Sequence, residues 1–265
     1  MPCERMLETS QDAILSEMRT LFQDQNGFGM EIDDACLLRY LRARQFDISK
    51  ASSMLKATLD WREEVNVQNI LTHEMDIVRR ENSTGKIYIR GRDKEGRPIM
   101  IMRPARENTF NHETQIKHLI YQMERARLIL QKHTKGSGKL CIVIDYNGFS
   151  LRNAPPFKTS SATLNIVQNH YPEMLGTAYL LNPPFIFTGM WKVLYPLIDP
   201  VTRHKFIFVN CNLHKPAGKL IMDKNFSLDS LEESIGGRND LPFDSDKYLE
   251  GGVDQCFDEV LESLR

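Results

Sequence analysis

Apolar residues recur at a helical spacing in the first third of the chain. Asp33 or Asp34 can cap a helix that ends near residue 46, and Ser49 can cap the next helix. An acidic helix over about residues 10–25 precedes this pair. The apolar positions of the pair are Leu37, Leu38, Leu41, Ala51, Met54, Leu55, Leu59 and Trp61. The pattern predicts a helical N-terminal region.

The spacing then changes to that of alternating strands. Residues 87–90 and 99–103 alternate like two strands that the turn at 93–98 joins. A long helix over residues 114–133, with its apolar residues on one stripe, leads to an apolar strand at 140–144. Helix and strand then alternate at residues 157–171, 178–182, 188–198 and 205–211. This order predicts an α/β fold with βαβ units and a largely parallel sheet.

The helix predicted at residues 188–198 is unusually apolar. It follows Pro183 and Pro184, which cannot continue a strand, and it has too few polar residues to bury only one face. It must therefore face protein on several sides, or face something apolar that is not protein. Residues 199–205 come next and carry a hydroxyl group and cations that suit a phosphate. An apolar wall beside a polar anchor is the combination that a lipid site requires.

Composition excludes several classes of function. The formal net charge is −1, with 34 Lys and Arg against 35 Asp and Glu, so the basic field of a nucleic-acid-binding protein is absent. Five cysteines without paired spacing argue against a disulfide framework and for a reducing compartment. The opening residues have no apolar core of a signal peptide, and no apolar run is long enough to span a bilayer. We expect a cytoplasmic protein whose membrane contact is peripheral.

The sequence contains no complete motif of an enzyme active site or of a metal site. Cys36 and Arg42 have the spacing of a phosphatase loop, but a helix fills the interval between them. The segment 136–139 resembles a phosphate-binding loop, yet it leads into a strand rather than into a helix. The seven histidines lack metal-ligand spacing, and Asp145 fits a turn better than a catalytic acid. We therefore expect no enzyme activity, metal or cofactor.

Five motifs in register resemble one known family. They are LLRYLRARQFD (37–47), DWREE (60–64), DKEGRP (93–98), IDYNGFS (144–150) and YPEMLGTAYLLNPPFIFTGMWKVLYPLIDPVTRHK (171–205). The chain is similar to the CRAL-TRIO lipid-binding family in its phosphatidylinositol-transfer branch. The resemblance implies a helical N-terminal region at residues 1–80 and a lobe at 81–250 in which helices flank a mostly parallel sheet and enclose a lipid cavity. We also expect a helical tail at residues 251–265, with a helix near residues 254–264.

The resemblance implies a headgroup site of four residues. In phosphatidylinositol-binding members of the family, the residues that match Arg44, Glu173, Thr202 and Lys205 contact the headgroup. Two cations would neutralise a phosphodiester, while a carboxylate and a hydroxyl would bind inositol hydroxyls. Gln45 is a departure, because the family usually has a lysine there, and its absence weakens the attraction for anionic lipids.

The resemblance also assigns the apolar helix and the cavity. The helix at residues 188–198 matches the gate over the lipid cavity, and its gate residues here are Met190, Trp191, Leu194 and Tyr195. Members that carry phosphatidylcholine present Tyr, Ser and Thr hydroxyls inside the cavity. The matching positions of this chain are all aliphatic or thioether groups, namely Ile89, Met100, Leu140, Ile142 and Val167. We expect the phosphatidylcholine site to be absent.

The sequence and the resemblance together indicate a monomeric phosphatidylinositol-binding protein. It would exchange lipid between membranes or present it to phosphoinositide kinases, through transient contact with Golgi, endosomal or plasma membranes. Nucleic acid is not an expected partner. Two alternatives stay open: a carrier of another apolar ligand, of isoprenoid, tocopherol or sterol type, and a regulatory module that binds a GTPase or a membrane.

Overall fold

The structure is a computed structural model that describes residues 2–132, 138–209 and 216–250. Its helices are α1 (Pro2–Phe22), α2 (Asp34–Ala43), α3 (Ile48–Glu64), α4 (Val67–Thr72), α5 (Met75–Asn82), α6 (His112–Lys132), α7 (Phe157–His170), α8 (Phe187–Leu194), α9 (Pro200–Arg203), α10 (Pro216–Asn225) and α11 (Ser245–Glu250). Its strands are β1 (Ile87–Arg92), β2 (Pro98–Met102), β3 (Leu140–Asp145), β4 (Leu175–Leu181) and β5 (Phe206–Val209). Two compact units result: Met1–Thr72 with Ile166–Glu173, and His73–Asn165 with Met174–Arg265.

The first unit is built on the apolar stripes of its helices. Leu37, Leu41 and Leu55 are fully buried in one core that α1, α2 and α3 share. Asp33 caps α2 as predicted, since its carboxylate accepts from the backbone N–H of Cys36 at 2.7 Å. The expectation that Ser49 caps the next helix was wrong. Asp47 takes that role and accepts from the backbone N–H of Lys50 at 3.0 Å, so α3 begins before Ser49 is reached.

The segment that closes α7 belongs to this first unit because of two contacts with α3. The ring of His170 stacks on that of Trp61, with centroids 4.1 Å apart and planes 2° from parallel. The hydroxyl of Thr58 lies 3.2 Å from Nδ1 of His170. Burial, helped by the charge of Arg62, lowers the pKa of His170 to about 4. The ring is therefore neutral at physiological pH, as a stacked and half-buried imidazole should be.

The second unit contains the sheet, and its topology is the predicted one. The strands lie in the order β1-β2-β3-β4-β5, with β1 and β2 antiparallel and the other pairs parallel. The hairpin turn depends on Asp93, whose Oδ1 accepts from the backbone N–H groups of Glu95 at 3.0 Å and Arg97 at 2.9 Å. The other carboxylate oxygen of Asp93 pairs with Nε of Arg97 at 2.6 Å. The turn thus holds its shape through a buried carboxylate.

Helix α6 differs from its predicted one-sided stripe, because it is buried on almost every face. Six of its polar residues are buried as well, and several of them hydrogen-bond to their neighbours: Gln115, His118, Gln122, Glu124, Arg125 and Arg127. His118 Nε2 lies 3.1 Å from Asn82 Oδ1, and Gln122 Nε2 donates to the same oxygen at 3.0 Å. The hydroxyl of Tyr248 donates to Oε1 of Gln122 at 2.7 Å. Satisfied polar partners, which sequence periodicity does not reveal, explain why these residues can be inside.

Some predicted boundaries shift. β4 begins at Leu175 rather than at residue 178, because backbone pairing with β3 already starts there. Asp145 lies at the end of β3, where its carboxylate accepts from the backbone N–H of Asn147 at 3.0 Å, in agreement with the predicted turn role. Residues 133, 136–137, 210–211 and the predicted tail at 251–265 lie outside the described part of the chain. Within the described ranges, no helix combines the length and apolar character needed to cross a bilayer.

The buried imidazole of His118 predicts a loss of stability in mild acid. Burial, together with the charge of Lys86, lowers its native pKa to about 3, whereas the unfolded chain has the ordinary value of 6.5. As the pH falls below 6.5, the unfolded chain binds the proton first, so the free energy of unfolding decreases by up to about 1.4 kcal/mol per pH unit. Urea denaturation of the wild type and His118→Gln between about pH 7.5 and pH 5 measures this. The variant should have the shallower pH dependence, and equal slopes would contradict the assignment.

Candidate ligand-binding site

One face of the sheet is continuous and apolar. The strand register pairs Ile89 with Met100 and Met100 with Ile142, so these three residues form one row on one face. Leu140 lies two residues before Ile142 and therefore points to the same side. Four of the predicted cavity residues thus share a face, and none of them carries a hydroxyl group. Val167, the fifth, lies on α7 in the segment that belongs to the first unit.

Helix α8 covers this face near β4 and β5. The ring of Phe187 is buried against Ala178 and Leu180. The ring of Trp191, one turn further along α8, lies with its centroid 5.1 Å from that of Phe206. Both helix residues therefore point towards the sheet. Met190, another predicted gate residue, lies on α8, and its side chain is outside the described set.

Helix α8 is shorter than predicted and exposes apolar side chains. It ends at Leu194, and a 3₁₀ turn, Tyr195–Leu197, continues it because Pro196 has no backbone N–H for the α-helical ladder. Around it, Phe185 is 94% exposed and Val193 is 56% exposed. The other exposed apolar side chains of this surface are Ile186, Tyr195, Leu197 and Val201. We call these six residues the apolar rim.

A cavity lies beside α8. Its volume is about 230 Å³, and it is bounded by the sheet, α6, α7 and α8. The apolar residues of its lining are Ile87, Met102, Pro104, Leu119, Ile144, Tyr146, Pro155, Leu164 and Leu194. Ile87, Met102 and Ile144 form the row next to that of Met100, on the same sheet face. Pockets for drug-sized ligands measure about 300–1,000 Å³, so this cavity by itself is too small for a lipid with two acyl chains.

One part of the cavity wall is polar. Lys86, Arg103, Glu107, Gln115 and His118 contribute to it from β1, β2, α6 and their flanking loops. Lys86 forms ion pairs with Glu81 and Glu107. Three hydroxyl-bearing residues of α7 also line the cavity: Thr159, Ser160 and Thr163. Sequence reasoning missed these residues. The available signal was the spacing of Gln115, His118 and Leu119 along one face of the long helix.

The charge of Arg103 is compensated inside the protein. Its Nη2 lies 2.6 Å from Oε2 of Glu232, and its Nε lies 3.7 Å from Oδ2 of Asp145. Arg90 and the hydroxyl of Tyr88 also contact Glu232, at 3.0 Å and 2.7 Å. Burial alone would raise the pKa of Glu232, but the arginines hold it below its usual value. This buried cluster therefore remains ionised and ties β1 and β2 to the segment near residue 232.

Two of the predicted headgroup residues lie in one turn of the second unit. Asp199 caps α9 by accepting from the backbone N–H of Val201 at 2.9 Å. The backbone N–H of Lys205 then donates to the carbonyl of Thr202 at 3.0 Å, and the carbonyl of Lys205 accepts from Ala178 at 2.8 Å. The sequence DPVTRHK thus folds into a cap, a single helical turn and the entry to β5. This arrangement places residues 202 and 205 at the edge of the sheet where β5 begins.

The other two predicted headgroup residues belong to the first unit. Arg44 ends α2, where its backbone N–H donates to Leu41 and its Nη1 donates to the carbonyl of Ala43 at 3.1 Å. Glu173 follows α7 and adopts a left-handed backbone with φ of +58°. Such a conformation is uncommon for a residue with a side chain and often marks a functional position. The four residues divide between the two units, so their assignment to a single site stays a prediction.

The catalytic and metal-binding motifs considered from the sequence can be compared with the described part of the chain. Cys36 and Arg42 lie on α2, so they do not form a phosphate loop. In the described ranges, no group of three or more His, Cys, Asp or Glu side chains is placed to hold a metal ion. The described residues provide an apolar sheet face, a short apolar helix that covers part of it and a small number of polar groups. These are features of a ligand-binding site.

Comparison with known proteins identifies the family. The CRAL/TRIO domain matches residues 82–237, and the N-terminal domain of the same family matches residues 6–57. The chain belongs to the CRAL/TRIO family. The match to residues 82–237 covers the sheet, α8 and the turn that contains Thr202 and Lys205. The fold expected from the five motifs is therefore confirmed for this CRAL/TRIO protein.

Several curated relatives are similar to this CRAL/TRIO protein. Phosphatidylinositol transfer protein PDR17 of Saccharomyces cerevisiae is 36% identical over 186 residues, which cover 65% of this chain and 51% of the relative. The SEC14 cytosolic factor of Eremothecium gossypii is 30% identical over 263 residues, covering 93% of this chain and 81% of the relative. A CRAL-TRIO domain-containing protein of Schizosaccharomyces pombe is 34% identical over 83% of this chain, which spans 20% of that relative. The chain thus spans from a fifth to four fifths of these proteins.

A solved structure supports the fold. The crystal structure of Sfh5 superposes with a TM-score of 0.63 over 76% of this chain and 80% of that chain, at 18% sequence identity. At this identity the likeness concerns the architecture alone. It agrees with the helical N-terminal region and the mostly parallel sheet described above.

Proposed function

We propose that this protein binds phosphatidylinositol beneath α8 and moves it between membranes or presents it to phosphoinositide kinases. One observation carries the proposal: α8 covers an apolar sheet face on its inner side and is surrounded by exposed apolar side chains on its outer side. A resting protein in water gains nothing from exposing Phe185 and Val193, whereas a bilayer surface accepts them. We propose that the protein is a cytoplasmic monomer that docks on membranes through the apolar rim.

Enclosure of the acyl chains is the physical reason for a movable cover. Each exposed CH₂ group costs about 0.8 kcal/mol, so two sixteen-carbon chains cost roughly 25 kcal/mol in water. The protein must therefore surround both chains. The cavity described beside α8, of about 230 Å³, is too small for them, so the proposal includes an outward shift of α8 when the lipid enters. Once α8 has shifted, Trp191 and Tyr195 suit contact with the bilayer, because such amphipathic rings settle at the membrane interface.

We assign the binding of the phosphatidylinositol headgroup to Arg44, Glu173, Thr202 and Lys205. Arg44 and Lys205 supply the cations that a phosphodiester requires, and Thr202 and Glu173 supply groups that bind inositol hydroxyls. The turn that joins Thr202 to Lys205 by a backbone hydrogen bond of 3.0 Å supports their action as a pair. Support also comes from the relatives, one of which is named a phosphatidylinositol transfer protein. The function is ligand binding and exchange, without a chemical step.

Removal of both headgroup cations should abolish phosphatidylinositol transfer. Arg44→Ala with Lys205→Ala leaves the phosphate without its charged partners, while neither residue belongs to the buried core. We expect transfer of labelled phosphatidylinositol between vesicles to vanish and the thermal midpoint to change by a few degrees at most. Arg42→Ala with Lys224→Ala is the charge-matched control, because both residues are exposed and lie outside the proposed site. Unchanged transfer in the Arg44 and Lys205 variant would reject the headgroup assignment.

Phosphatidylcholine transfer should be weak in the wild type. Its phosphate would be buried against the aliphatic row that includes Met100 and Ile142, and each missing hydrogen bond costs about 1–3 kcal/mol. Transfer should therefore be at least about tenfold slower than for phosphatidylinositol in the same vesicles. Introducing hydroxyl groups by Leu140→Ser with Ile142→Thr should reduce the difference in transfer rate between the two lipids. Equal transfer of both lipids by the wild type would show that the aliphatic row does not set selectivity.

A further inference from the structure

The guanidinium group of Arg203 holds the end of the helical segment that covers the sheet. Its Nε donates to the carbonyl of Ile198 at 2.9 Å, and its Nη2 donates to the carbonyl of Pro196 at 3.4 Å. The guanidinium carbon also lies 4.5 Å from the ring centroid of Tyr195. Tyr195 and Pro196 belong to the 3₁₀ turn that continues α8, and Ile198 follows this turn. One cation of α9 therefore contacts three residues at the end of the cover.

These contacts suit the end of a helical segment. The last carbonyl groups of a helix lack partners in a following turn, and they give that end a partial negative charge that a cation stabilises. A cation is also attracted to the face of an aromatic ring. The backbone of α9 places the cation here, because the N–H of Arg203 donates to the carbonyl of Asp199 at 3.0 Å within a single turn. The short helix thus returns the chain to the end of the segment that precedes it.

The guanidinium lies at one end of a series of aromatic rings along α8. The ring centroid of Tyr195 is 5.8 Å from that of Trp191, which is 5.8 Å from that of Phe187. The ring of Phe187 in turn lies 4.6 Å from that of Tyr146. Each ring supports the next, so a displacement of Tyr195 removes a neighbour of Trp191. Arg203 therefore acts on the cover through Tyr195, as a positioning residue.

The charge of Arg203 is open to exchange with another partner. Unlike Arg103, it forms no ion pair with a carboxylate in the described ranges. Arg203 is half-buried and Tyr195 is 41% exposed, so their contact lies at the protein surface. A phosphate carries a full negative charge and matches the fork of guanidinium N–H groups, whereas carbonyl groups and a ring are neutral. A phosphate at this surface therefore competes for the same N–H groups.

We propose that Arg203 is a latch on α8 and that the anionic phosphate of a bilayer lipid releases it. In the closed protein, the guanidinium holds Tyr195 and the carbonyls of Pro196 and Ile198. When the apolar rim meets a membrane, the guanidinium exchanges these partners for a lipid phosphate, and the end of α8 becomes free to move. The inference rests on the proposed function, and it adds that the surface charge of the membrane controls the opening.

Hydrogen exchange without membranes tests whether Arg203 holds α8. In Arg203→Gln, the amides of residues 185–197 should exchange about tenfold faster, because the contacts that oppose local opening are lost. Lys192→Gln is the charge-matched control, since Lys192 is exposed on α8 and its side chain forms no hydrogen bond or ion pair with a described residue. Its exchange should equal that of the wild type. Tyr195→Leu should resemble Arg203→Gln, whereas Tyr195→Phe retains the ring face and should retain the protection.

Vesicles of two compositions test whether a lipid phosphate releases the latch. Phosphatidylcholine alone gives a zwitterionic surface, and added phosphatidylglycerol gives an anionic one. At an equal bound fraction of protein, residues 185–197 of the wild type should exchange at least about threefold faster on the anionic vesicles. Arg203→Gln should show the same exchange on both. Inorganic phosphate at matched ionic strength should leave the wild type closed, because only docking concentrates phosphate groups beside Arg203.

The outcomes separate the latch from the proposed function. Equal exchange of the wild type and Arg203→Gln in solution overturns the latch, and so does wild-type exchange that is independent of vesicle charge. An equal acceleration by inorganic phosphate overturns the role of the bilayer. Should Arg203→Gln fail to fold, Arg203→Lys keeps the charge without the fork of donors and should still exchange faster than the wild type. Phosphatidylinositol transfer without a latch leaves the proposed function standing, and a latch without transfer rejects that function alone.

Discussion

The cover that α8 provides over the apolar sheet face is the interaction on which the function depends. Phe187 and Trp191 contact the sheet side through the rings of Tyr146, Phe206 and Phe208. Full burial of one such side chain contributes roughly 1.5–3 kcal/mol, so the helix is held by a modest energy. At 8 residues it is also too short to be stable as an isolated helix. Packing therefore decides both whether it is helical and where it lies.

The frame around this cover is held more firmly. The carboxylate of Glu232 is buried with Arg90 and Arg103, and the loss of one partner from such a cluster costs about 3–5 kcal/mol. On the other side of the sheet, the ring of Tyr179 packs against that of Phe226 with centroids 5.1 Å apart. Helix α8 has no ion pair of this kind among the described residues, and prolines lie just before and just after it. A fixed frame with a weakly held cover suits a cavity that must open and close.

The fold could be predicted from the sequence in most respects, and the failures have physical causes. The apolar pattern located the five strands of the sheet: β1 and β2 showed alternation, and β3 showed the continuous apolar run of a strand that is covered on both faces. The cap of α3 was misplaced because Asp47 and Ser49 are both good capping residues, and backbone geometry decides between them. The end of α8 was overestimated because the effect of Pro196 depends on a hydrogen bond that the chain replaces with a 3₁₀ turn.

The candidate site was less predictable. The aliphatic row of Ile89, Met100 and Ile142 could be expected from alignment of motifs, but its shared face depends on strand register. The polar wall was missed because Gln115 and His118 resemble surface residues of a helix, and only three-dimensional packing buries them. Local sequence carries no information about burial that distant segments produce.

Hydrogen exchange over α8 tests the central claim most directly. Backbone amides of residues 185–197 are compared in the protein alone and with vesicles that contain phosphatidylinositol. The account predicts that protection of this segment decreases on docking while that of β3 stays unchanged, because the cover leaves and the frame remains. Protection of α8 that is the same with and without vesicles, in protein that still transfers phosphatidylinositol, would contradict the account and place the entrance elsewhere.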